Sequence, residues 1–103
     1  MEAPTKLGFR PVGILTGIYA GPMVLLGDAS WFPWASDRNK LESMVNIFNE
    51  LRKQFLGIFY CALSDKKFYE HIARHGIIKR IGHIDGIYKD EPAVEFQLRL
   101  WQH

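Results

Sequence analysis

The sequence predicts an α/β fold, a single domain with a mixed, mostly antiparallel sheet and two main helices. Three observations carry that prediction. Apolar runs of strand length at Val12 to Ala20, Met23 to Leu26, Phe55 to Leu63 and Ile77 to Ile84 are bounded by Gly, Pro, Ser and Asp. Two segments between these runs switch to a three- and four-residue apolar period, which places side chains on one helix face. A closing segment, Val94 to Leu100, alternates strictly between apolar and polar residues, as a half-buried strand requires.

Residues 1 to 10 carry Pro4 and no sustained period, so they read as an N-terminal lead-in to a domain spanning 11 to 103. Val12 to Ala20 is rich in β-branched and aromatic residues and stops at Gly21-Pro22, after which Met23-Val24-Leu25-Leu26 resumes, predicting an antiparallel hairpin. Trp31 and Phe32 can extend a strand, but Pro33 bars a central ladder position there. Ser36 or Asp37 can then cap a helix over about 37 to 53, whose Leu41, Met44, Val45, Phe48 and Leu51 form the apolar face.

Phe55 to Leu63 has neither charge nor alternation, so it predicts the central strand, covered on both faces. Ser64-Asp65 is read as the cap of a second helix over about 65 to 75, with Phe68, Ile72 and His75 on one face and Gly76 as its left-handed stop. Ile77 to Ile84 predicts a strand that a bulge at Asp85-Gly86 can prolong to Tyr88, leaving Lys89-Asp90-Glu91-Pro92 as a loop. Val94, Phe96, Leu98 and Leu100 then form the inward face of the last strand.

Composition narrows the function. The 103 residues carry 13 Lys+Arg against 11 Asp+Glu, with 48% hydrophobic and 23% charged residues, which suits one globular domain and argues against a multidomain enzyme. Charges interleave without a basic block, so nucleic acid is not an expected partner. The longest apolar runs are broken at Gly21-Pro22, short of the roughly 20 residues of a membrane span, and Glu2 stands where a signal peptide is basic. The single Cys61 cannot form an intramolecular disulfide, and in an apolar strand it reads as an inert buried thiol.

His71 and His75 have the spacing of two zinc ligands, with His83 able to approach from the next strand. No Glu follows His71 and no second Cys or His pair stands nearby, so no metal is expected. Asp85, Asp90, Glu91 and Glu95 lie in a polar turn and on an outward strand face, where solvated charge is the plainer reading than acid-base chemistry. The sharpest local feature is Trp31, Phe32 and Trp34 within four residues, joined by Trp101 at the outward phase of the last strand. Aromatics of this density mark either a protein interface or a hydrophobic staple in which one or two of them pack against the helix over 37 to 53.

The element order, together with the segment from Ser64 to Ile77, resembles the second half of the fold of the GNAT N-acetyltransferases, over roughly residues 11 to 101, without the early strand and two helices that usually precede it. Pro11-Val12-Gly13-Ile14-Leu15 is similar to that family's second strand. The resemblance implies an acyl-CoA site at a helix N-terminus preceded by a glycine-rich loop, and a tyrosine four residues before a glycine serving as general acid. Here Pro33 to Leu41 contains no glycine, Asp37 puts a carboxylate beside the expected pyrophosphate, and the position four before Gly76 is Ile72.

This combination is most similar to the small degenerate GNAT-like proteins of tailed bacteriophages, including internal virion proteins. It implies a non-catalytic protein acting by protein contacts in virion structure or assembly through Trp31, Phe32, Trp34 and Trp101. Such a chain would be made in the cytoplasm of a bacterial host, would meet other virion proteins, would need no cofactor and would be open to oligomerisation. Two alternatives accompany this reading. One is an acetyl-CoA-dependent N-acetyltransferase with a divergent loop, in which Ser36, Arg38 and Lys40 hold the cofactor and Tyr69 is the acid; the other is a phage-encoded inhibitor of a host protein.

Overall fold

In a computed structural model, which describes residues 1–6 and 8–101 with the side chains of 5 and 82–85 set aside, seven strands and two helices follow one another. They are β1 (Glu2–Thr5), β2 (Gly8–Pro11), β3 (Gly13–Ala20), β4 (Met23–Trp31), α1 (Asp37–Leu51), β5 (Leu56–Ala62), α2 (Lys66–Ala73), β6 (Ile78–Tyr88) and β7 (Glu91–Leu98). A single 3-10 turn, Leu63–Asp65, leads into α2. Five strands form one sheet in the order β3-β4-β5-β7-β6, antiparallel except for the β4–β5 pair. The mixed, mostly antiparallel sheet with two helices therefore matches the sequence prediction.

Both helices lie on one face of this sheet. Met44 and Phe48 of α1 and Ile72 of α2 share a core with Val24, Leu26, Phe59, Cys61, Val94, Phe96 and Leu98, the alternate residues of β4, β5 and β7. Phe59 sits at its centre, stacked on Phe96 across the β5–β7 ladder at 5.4 Å and on Phe48 at 5.1 Å. The residues between them point the other way, and no helix covers them. Ile58 and Tyr60 are only half-buried, while Ile18 and Leu25 are exposed. The expectation of a central strand covered on both faces is thus corrected: β5 is central, but its unbroken apolar run serves one packed face and one open face.

Several local expectations also change. The lead-in folds into a β1–β2 hairpin that places Ala3, fully buried, against α1. The strand after Gly21-Pro22 does not end at Leu26; it runs on to Trp31 through a bulge, where Gly27 and Asp28 together oppose Thr16. Asp65 does not cap α2 with its side chain, because the preceding 3-10 turn leaves it with helical dihedrals. Ser64 instead donates to Glu91, Oγ to Oε2 at 2.7 Å and N to Oε1 at 3.0 Å, tying α2 to the start of β7.

His75 lies beyond the end of α2 and is exposed, while Ile72 holds the buried face alone at the helix end. Gly76 does adopt the left-handed conformation, with φ of 76°. The β6–β7 turn is two residues, Lys89 and Asp90, both at positive φ, so Glu91 and Pro92 belong to β7 rather than to a loop. β6 does run to Tyr88, with register shifts after Arg80 and His83. Leu100 falls past the end of β7 and is 68% exposed, outside the core face assigned to it.

Candidate functional site

The bulge in β4 opens a cleft between β4 and β5. β4 and β5 pair in parallel only from Met23 opposite Leu56 to Leu26 opposite Phe59. Beyond that, the extra residue at Gly27-Asp28 turns β4 aside, and the two strands part. Gly27 fits the bend because a side chain there would meet Thr16 Oγ1 at 2.7 Å. The gap is a cleft of about 420 Å³ with Gly27, Asp28, Ala29 and Trp31 on one wall and Tyr60 and Cys61 on the other. Asp37 and Lys40 of α1, Asp65, Phe68 and Tyr69 at α2, and Tyr88 and Lys89 at the β6–β7 turn complete it.

Its electrostatics disfavour an anion. Three carboxylates, Asp28, Asp37 and Asp65, line the cleft with two lysines. Lys89 is paired with Asp28 at 3.5 Å and Lys40 with Asp37 at 3.9 Å. Tyr69 packs among Phe59 at 4.9 Å, Phe68 at 5.3 Å and Phe96 at 5.9 Å. Burial, then the nearby Cys61, Asp65 and Asp28, push its phenol well above the usual tyrosine range, so it stays a neutral O–H. The Cys61 thiol is pushed up to about 12, chiefly by burial and then by Asp65 and Glu70, which makes it a poor nucleophile.

The helix N-terminus at the cleft is already occupied by its own side chains. Asn39 N–H donates to Ser36 Oγ at 3.0 Å, Ser36 N–H donates to Asn39 Oδ1 at 3.3 Å, and Lys40 N–H donates to the Ser36 carbonyl at 3.0 Å. Of the three residues considered for holding a cofactor, Ser36 is spent on this cap. Arg38 donates to Glu42 at 2.8 Å with its side chain almost wholly in solvent. Only Lys40 lines the cleft, and Tyr69, the residue considered as general acid, lines it too.

The four interface candidates separate. Trp31 is half-buried and faces the cleft. Phe32 and Trp34 stack on one another at 4.9 Å outside it; Trp34 Nε1 donates to the Pro11 carbonyl at 2.8 Å, and the Arg10 guanidinium lies 4.1 Å from its ring. Trp101 is elsewhere, under Arg52 and Lys53 at 4.9 and 5.0 Å, beside Pro22 and Leu56 at the start of β4 and β5. The eight steps of β4 from Met23 to Trp31 separate the two aromatic sites by roughly 26 Å at 3.3 Å per residue. Trp101 and the Trp31 cluster therefore do not form one surface.

The rings of His71 and His75 meet edge-on at 6.2 Å, and among the described residues no group of three or more His, Cys, Asp or Glu is placed to hold a metal. The His83 side chain falls outside the described residues. Among those residues, no helix is long and apolar enough to cross a membrane. Asp28, Tyr60, Phe68, Tyr88 and Lys89 are cleft residues that sequence reasoning missed. The available signal was Gly27 inside an otherwise regular strand, the usual mark of a bulge.

No family model matches the chain, and searches of curated proteins and of solved structures found no match.

Proposed function

We propose that this chain is a non-catalytic GNAT-like domain, of the degenerate kind that tailed bacteriophages carry, acting through protein contacts in virion structure or assembly. The observation that carries the reading is the closed capping box at the start of α1. Ser36 and Asn39 take up donors that a pyrophosphate would need, and Asp37 adds a carboxylate to the same first turn. The surface offered to a partner is exposed Trp34, stacked on half-buried Phe32 and flanked by Arg10, an aromatic and cationic combination that suits an interface anchor.

A second reading, an acetyl-CoA-dependent N-acetyltransferase, is favoured by one observation. Lys40 and Tyr69, which that reading joins in one site, do line the same cleft. Thermal unfolding with and without millimolar acetyl-CoA separates the two, since a ligand at about 100 times its dissociation constant adds roughly 2.7 kcal/mol. For a domain of this size that is a shift on the order of ten degrees. The non-catalytic reading expects no shift, and a saturable shift overturns it. Its positive test is incorporation into phage particles: Phe32→Ala with Trp34→Ala should be depleted from them relative to the unaltered chain, and equal incorporation removes the aromatic stack from the interface.

A further inference from the structure

We propose that β3 is a dimerisation edge, on which two copies of this chain pair their β3 strands antiparallel about a two-fold axis at Thr16. β3 is an outer strand of the five-stranded sheet. Across the two-residue turn Gly21-Pro22, Ala20 lies opposite Met23, and alternation along the ladder then turns the backbone groups of Leu15, Gly17 and Tyr19 away from β4. The Gly13 carbonyl on that side accepts from the Met1 amine at 2.9 Å, so the free edge begins at Ile14.

The two outer strands differ in how they meet water. β6 carries Lys79 and Arg80 and two breaks of register, devices that discourage a further strand from adding. β3 has no ionisable group except the Tyr19 phenol and no proline, and its irregularity is carried by β4, so its own backbone stays straight enough to pair. Ile14 and Ile18 are 55% and 68% exposed, on the sheet face that no helix covers. A free, uncharged strand edge is complementary to another strand.

The sequence of β3 indicates which strand. About Thr16 it reads onto its own reverse with complementary sizes. Ile14 falls opposite Ile18 of the second copy, Leu15 opposite Gly17, and Thr16 opposite Thr16, so the pairing is confined to residues 14–18, short of Gly13 where Met1 sits. Cross-strand β-branched pairs and Thr–Thr pairs are favourable, and no like charges meet on the axis. The strand contact is shorter than a standard interface of about 1,200–2,000 Å² demands, so the dimer is reversible and concentration-dependent.

Sedimentation over a concentration series tests this. The unaltered chain should show a monomer–dimer equilibrium. Ile14→Lys with Ile18→Lys, which sets like charges opposite one another twice across the axis, should move the dimer midpoint by about tenfold or more to higher concentration. Ile14→Lys with Ile18→Glu sets opposite charges across the same two pairs and should restore dimerisation to within about threefold of the unaltered chain. Both positions are exposed, so the two variants should melt within a few degrees of the parent. A chain that stays monomeric throughout, or a dimer that responds equally to both double variants or to neither, overturns the proposal.

Discussion

Gly13 shows how much one missing side chain can matter. A Cβ there would lie 2.7 Å from Trp31 Cε3 and 2.5 Å from the Ser30 carbonyl, a backbone atom of the adjacent strand that cannot swing clear. Gly13→Ala should therefore lose about 1–3 kcal/mol in urea unfolding. Gly86→Ala, where nothing lies within 4 Å and φ is not positive, should be close to neutral. Two other residues link stability to pH. Cys61 and Tyr69 hold their protons more tightly folded than unfolded, because burial penalises their anions. The unfolded chain releases these protons first, near 9.0 for the thiol and 10.0 for the phenol, so their contribution is complete below pH 9 and is lost as pH rises from there. Urea midpoints measured from pH 7 to 10.5 should fall above pH 9, and Cys61→Ala should fall less steeply than its parent over that interval, whatever its midpoint at pH 7.

At the level of the elements, α1 was the most legible. Its five apolar residues at three- and four-residue steps require a helix, and Ser36 supplies the start. The cap can be tested directly. Ser36→Ala should cost about 1 kcal/mol and lower the melting temperature by a few degrees, with Asn39→Ala smaller and the two losses not additive, since each bond braces the other. Other boundaries were hidden for definable reasons. The β4 bulge depends on a single added residue; Gly27 hints at it, but that Gly27 and Asp28 together oppose Thr16 is fixed only by the pairing with β3. Asp65 has the composition of a cap, but its role was taken by the 3-10 turn that Leu63 begins. The His75 reading extended the helix period past the point where α2 ends at Ala73.

Across the whole molecule, burial follows the sheet order. β5 has a strand on either side, whereas β3 and β6 each have one. Hydrogen exchange should accordingly be slowest at Phe59 and Cys61 and fast at Leu15 and Gly17 in dilute solution. The cleft was legible only in its parts. Trp31 was singled out from a local feature and Lys40 and Tyr69 from the family resemblance, but the sequence does not say that β4 and β5 separate above Leu26, and that separation is what brings the three together. Strand order carries a consequence for how the chain is made. β7, the strand latest in sequence, lies between β5 and β6, which are translated before it. The sheet therefore cannot close as it leaves the ribosome; until residues 91–98 emerge, the growing chain displays β5 with one side unfilled and β6 with no strand to join. A chain stopped at Asp90 would keep both helices in its sequence and still lack the strand on which they and Phe59 are packed.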